Sequence, residues 1–215
     1  MRRLILALTI LVSGPATVGA AQDFPYGPTH SFAAFRNGER IGTHTLTFSG
    51  TGDQRTVTTS IDFAVKVLGL TMYRYKHQGQ EIWNGNAFQS LATQTDDNGA
   101  KFTVRAARQA DGGVATTATG GQKTLPAGTV PSTHWNFGQV QQSAILNSQN
   151  GNLSRVHITP RGRETVQTSN GMLPATRYTY TGDVQMDQWF DDRGRWVKSA
   201  FKASDGSTIE YILQE

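Results

Sequence analysis

Between Thr56 and Val67 the apolar residues Val57, Ile61, Phe63, Val65 and Val67 fall on odd positions. Thr56, Thr58, Ser60, Asp62 and Lys66 fall on even ones. A period of two belongs to a strand with one face in a core, whereas a helix needs apolar residues three and four apart and tolerates this β-branched content poorly. Residues 31–36 and 41–49 read the same way, and strand-like segments continue at 71–83, 87–95, 100–108, 114–119, 153–159, 163–168, 172–181, 184–190, 195–203 and 208–214. Turn clusters separate them, among them Asn37-Gly38, Asn84-Gly85, Asn98-Gly99, Asp111-Gly112, Asn170-Gly171 and Asp205-Gly206. Asn-Gly and Asp-Gly adopt the positive φ of tight hairpins, and connections this short exclude parallel crossovers. The pattern predicts an all-β fold, a large curved antiparallel sheet or an open, half-closed β-barrel of about ten to twelve strands, curled because open sheets rarely exceed about ten strands.

The alternation fails between Ser132 and Leu146. Asn136 followed by Gln139 resembles a capping box, and Phe137, Val140, Ala144 and Ile145 make an apolar stripe, so one short helix is expected near 137–147, lying against the sheet.

The amino terminus is of another kind. Arg2-Arg3 precedes a nearly continuous apolar run from Leu4 to Val12, Ser13-Gly14-Pro15 breaks it, and Val18-Gly19-Ala20 supplies small residues before Ala21. This order is that of a secretory signal, expected over residues 1–20, with a single β-rich domain over 21–215. Nine residues of helix rise only about 14 Å, too little to span a bilayer, and no later segment is long and apolar enough to do so. The periplasm is therefore the expected location of the mature protein.

Composition narrows the chemistry. The 215 residues include no cysteine, which excludes disulfides, Cys-ligated zinc and a thiol nucleophile. Charged residues are only 17%, and loss of Arg2 and Arg3 leaves 18 basic against 16 acidic residues, so nucleic-acid binding has no basic patch to rest on. The five histidines form no HExxH or other close metal spacing. Phosphate-binding and dinucleotide glycine loops and a Gly-x-Ser-x-Gly elbow are missing. No catalytic residue, metal site or cofactor is assigned.

Two places carry candidate ligand-binding residues. Met72-Tyr-Arg-Tyr-Lys-His-Gln78 puts Tyr73, Tyr75 and His77 on one face of a strand and Arg74 and Lys76 on the other; Trp83 ends the same segment. The tyrosines are either inward-packed core or the aromatic wall of a cavity. Pro131-Ser-Thr-His134-Trp135-Asn136 is either a helix cap with a buried Trp or a rim where His134 and Trp135 meet a ligand.

Phe35-Arg-Asn-Gly-Glu-Arg-Ile-Gly42, the 66–75 stretch, Thr95-Asp-Asp-Asn-Gly99, the 131–135 junction and Trp189-Phe-Asp-Asp-Arg-Gly-Arg-Trp196 together resemble an uncharacterised secreted family of Gram-negative bacteria, the domain-of-unknown-function family numbered 6134. The resemblance implies an exported single-domain protein and carries no catalytic residues. By strand pattern alone the chain is distantly similar to the half-open barrels of periplasmic lipoprotein carriers.

Three functions follow as expectations. The first is a non-catalytic carrier holding a lipid or other amphipathic small molecule in the sheet concavity, with Trp135 near its mouth. The second is an assembly factor contacting other envelope proteins. The third is a hydrolase built from scattered groups such as His77, His134 and Asp62. A deep apolar cavity favours the first, a filled core with an exposed apolar patch the second, and converging histidines and carboxylates the third.

Overall fold

The computed structural model describes residues 24–215; the expected export signal lies outside the described residues. The strands are β1 (Thr29–Arg36), β2 (Glu39–Thr51), β3 (Gln54–Val67), β4 (Leu70–Asn84), β5 (Ala87–Asp97), β6 (Ala100–Arg108), β7 (Val114–Ala118), β8 (Gly121–Leu125), β9 (Ala144–Leu146), β10 (Leu153–Thr168), β11 (Gly171–Gly182), β12 (Met186–Phe190), β13 (Trp196–Lys202) and β14 (Thr208–Gln214). All fourteen join one antiparallel sheet in the order β8-β7-β6-β5-β4-β3-β2-β1-β14-β13-β12-β11-β10-β9, which does not close on itself. It is two hairpin meanders, β1 to β8 and β9 to β14, joined along a central seam where β1 pairs β14, Phe32 opposite Leu213.

The all-β, half-closed architecture is the expected one, with more strands than expected. Segments 153–159 and 163–168 form the single strand β10, bent at a bulge beside Pro160 and Gly162, while β8 and β9 are additional. The expected helix over 137–147 is corrected: a single 3₁₀ turn, Phe137–Gln141, is followed by strand β9. Asn136 does cap it, its side chain accepting from the Gly138 N–H at 2.8 Å. Gln139, however, turns inward, donating to the Pro131 carbonyl at 3.0 Å and accepting from the Tyr180 hydroxyl at 3.2 Å, so no reciprocal capping box forms. Backbone pairing of Ile145 with Ser154 then draws the chain into the sheet.

The curled sheet encloses a core in which Phe32, Leu46, Val57, Trp83, Trp196 and Leu213 are wholly buried. The connection from β8 to β10 sends Thr133, Trp135, Gln139, Val140 and Gly151 into this interior, while residues such as Ala127, Gly138 and Gln141 stay exposed. Trp135 on it packs edge-to-face on Trp83, ring centroids 5.2 Å apart, and its carbonyl accepts from the Tyr26 hydroxyl at 2.7 Å. Further along, Gly151 lies so close to β7 that a Cβ there would stand 2.6 Å from the Ala118 Cβ, and its φ is +76°. Only glycine fits both demands.

Candidate functional site

Strand β4 carries the inner-face residues in sequence alternation. Register places His77 opposite Ile61 and Thr95, and Tyr75 opposite Phe63 and Asp97. Tyr75, His77 and Trp83 face the interior, whereas Arg74 and Lys76 are exposed and share the Asp62 carboxylate at 3.7 and 3.2 Å. Burying the two cations would have stranded them in low dielectric, so the tyrosine face turned in.

Within the interior the site candidates are tied into the core. The His77 Nδ1 meets the Thr95 hydroxyl at 2.8 Å, and burial lowers its pKa to about 4, so the ring is neutral at physiological pH. Tyr75 stacks between Phe63 and His77 and donates to the Gln149 side chain at 3.1 Å. Trp83 donates to Glu81 Oε2 at 2.8 Å; Thr133 and Trp135 donate to the same oxygen at 3.2 and 3.3 Å. Burial raises Glu81 to about 7 against these three hydrogen bonds, and its Oε1 has no hydrogen-bond partner. His134 sits at φ +68° beside Gln139 and Trp196, and burial lowers its pKa to about 4. Of the two places expected for Trp135, a buried position at a cap and a ligand rim, the structure shows the buried one: it is 5% exposed and part of the core.

Two inner residues escaped the sequence reading. Glu81 shares the odd positions of Tyr75, His77 and Trp83, so a charged residue on an apolar face was the available signal. His44, on the face of Leu46 and Phe48, is boxed by Phe32, Trp196 and Tyr211 with neither ring nitrogen partnered, and burial holds its pKa well below the ordinary value. The structure thus brings Tyr75, His77, Trp83, His134 and Trp135 into one packed interior. Among the described residues no three His, Asp or Glu side chains gather in a metal-holding cluster.

Tyr73 is the exception, and it leads to a different surface. Pairing of β3 with β2 ends at Phe63, and pairing of β4 with β5 ends at Tyr75, so the hairpin beyond them continues as a lone two-stranded ribbon. Four further residues of β3 carry it about 13 Å past the rim. Val67, Leu70 and Met72 are 52%, 69% and 61% exposed, and Leu68 at the turn is 98% exposed. Register and a bulge at Met72 put Val65, Val67, Leu70 and Tyr73 on one face, with Lys66, Thr71 and Arg74 on the other. The Tyr73 hydroxyl anchors the base, donating to Asp97 at 2.7 Å.

The turn itself is informative. Leu68-Gly69, at φ +51° and +82°, copies the backbone of Asn37-Gly38 (+49°, +85°) and Asn98-Gly99 (+51°, +96°). Asn tolerates this left-handed conformation, whereas a residue such as Leu loses about 1–2 kcal/mol there. The chain accepts that strain and presents a leucine to water.

Two hollows lie elsewhere on the surface of the described residues. One of about 500 Å³ on the outer face is lined by polar side chains, including Thr58, Gln78, Gln80, Gln94 and Arg105. Another of about 310 Å³ lies where the Arg55 guanidinium covers the Phe24 ring at 3.5 Å.

Fold and surface together define a β-barrel-like protein with an open sheet, a buried apolar core and a projecting apolar ribbon. The chain belongs to the family described as Domain of unknown function (DUF6134), whose model matches residues 32–214. It is similar in fold to the crystal structure of a β-barrel-like protein of the domain of unknown function DUF1849 from Brucella abortus, with a TM-score of 0.60 and 10% identity, covering 86% of this chain and 94% of that one. No curated protein matches it.

Proposed function

We propose that this is an exported, non-catalytic binding protein that works at its surface, through the ribbon of β3 and β4. The observation that carries the reading is the contrast between a core filled by Trp83, Trp196, Phe32 and Leu46 and an apolar hairpin left in water. Exposed apolar groups of this size mark contact surfaces. His77, His134 and Glu81 serve the packing: their hydrogen bonds run to neighbouring side chains, and a general base would have to face a substrate.

A carrier function is the second reading, and buried polar atoms without a partner favour it, the His44 nitrogens and Glu81 Oε1 among them, since a polar guest beside either would supply the missing hydrogen bond. One experiment separates the two. Purified wild type and a Leu68→Asn/Leu70→Thr/Met72→Thr variant are sedimented with washed cell-envelope fragments, and native mass spectrometry is run on protein isolated without detergent. Surface binding gives ribbon-dependent sedimentation and the bare polypeptide mass. A stoichiometric co-purifying small molecule, or equal sedimentation of both proteins, defeats it in favour of the carrier.

A further inference from the structure

We propose that the ribbon docks the protein onto anionic lipid bilayers, with Leu68 and its apolar neighbours entering the interface and the cations behind them meeting phosphates. This rests on the surface reading above and names its partner.

The side chains are arranged by depth. Leu68 stands at the tip, Val67 and Leu70 flank it, and Met72 follows. Lys66 lies two residues behind the tip and has no ion-pair partner among the described residues; Arg74 and Lys76 follow at the base and share the single carboxylate of Asp62. On the outer face of the hairpin three cations thus stand against Asp62, with Asp96 of β5 beside Lys76 but already paired with Lys101, so positive charge is in excess. Tyr73, half in water, sits between the apolar tip and the sheet rim. From the tip inward come the apolar end, Lys66, the Tyr73 ring and then Arg74 and Lys76, so the flexible cations and the aromatic ring together stand behind the apolar end, as headgroups stand behind acyl chains.

The backbone argues for shallow entry. Beyond Phe63 and Arg74 both outer edges of the ribbon present N–H and C=O groups to no other strand. Such edges are not tolerated in the hydrocarbon core, but the interfacial zone, about 5–10 Å deep for surface-bound elements, keeps them hydrated. A finger one hairpin wide also presents little flat area to a protein partner, whereas a fluid interface surrounds it on every side.

The absence of cysteine gives a clean probe. Leu68→Cys, labelled with a polarity-sensitive dye, is mixed with protein-free vesicles of phosphatidylcholine and phosphatidylglycerol; Asp53→Cys, in the turn at the far end of β3, is the control. The label at position 68 shifts to the blue, the one at 53 does not, and unlabelled protein co-sediments with the vesicles less at high salt and less with pure phosphatidylcholine. Leu68→Asn, which suits the turn and keeps the fold, lowers vesicle partition about tenfold. The proposal is overturned if wild type ignores the vesicles, if both labels respond alike, or if Leu68→Asn binds as well as wild type. Ribbon-dependent binding to envelope fragments without binding to protein-free vesicles would remove the lipid and leave the surface reading standing, with a protein as its partner.

Discussion

Glu81 and the inner histidines pull stability in opposite directions as pH changes. The Glu81 carboxyl, raised from its ordinary 4.5 to about 7, favours the protonated form in the fold; its contribution is complete below pH 4.5 and is lost as pH rises through about 7. His77 and His134, lowered from 6.5 to about 4, are held neutral; their contribution is complete above pH 6.5 and is lost as pH falls through about 4. Two histidines outweigh one carboxyl, so the wild-type urea midpoint falls between pH 7 and 4.5. Glu81→Gln removes the opposing effect and steepens that fall, and the variant gains on wild type between pH 4.5 and 8 by on the order of a few kcal/mol. A difference independent of pH would mean that Glu81 titrates normally. His44 gives a second test at this scale. Phe in its place keeps the aromatic packing and removes two unpartnered nitrogens, so His44→Phe raises unfolding stability by about 1 kcal/mol; a loss would mean that the ring is hydrogen-bonded in solution.

Among the elements, the strands were legible and the interior loop was not. Alternation over 57–67 and 71–83 gave both the strands and the facing of Tyr75 and His77, because inward cations would have been unpaired. What it lacked was the point where neighbouring strands stop. Tyr73 has the same parity as Tyr75, yet it stands half in water because pairing with β2 ends at Phe63 and pairing with β5 ends at Tyr75. The helix over 137–147 was misread, and the choice between a buried and a rim Trp135 stayed open, for a related reason: Trp135 is held by Tyr26, Trp83 and Glu81, and Gln139 by Pro131 and Tyr180, partners that no local period encodes. The β8-to-β10 connection contributes Trp135, Val140 and Leu146 to the core, and its fit is tight at Gly151. Gly151→Ala would press a methyl against Ala118 and force a positive φ on a residue that resists it. Chemical denaturation of this variant is expected to show a loss of about 2–4 kcal/mol, whereas an unchanged midpoint would mean that the loop does not pack against β7.

For the whole molecule, the pairing of β1 with β14 holds the two meanders together at the middle of the sheet. Every other neighbouring pair is consecutive in sequence. Leu213→Ala, wholly buried at that seam, should cost about 2–5 kcal/mol, and refolding should slow as well, since this pairing closes the longest loop in the fold. Stopped-flow traces with an unchanged refolding rate would place the seam after the rate-limiting step. The same arrangement has a consequence for biosynthesis. A chain made from its amino end completes β1 to β8 while β1 still lacks its far neighbour, and that strand stays unpaired along one edge until β14, the last strand of all, is made. Through that interval the nascent protein displays an open template for another chain's β14. Any stall or truncation before Thr208 leaves the template exposed, and crowded copies would then exchange their final strands or aggregate through them.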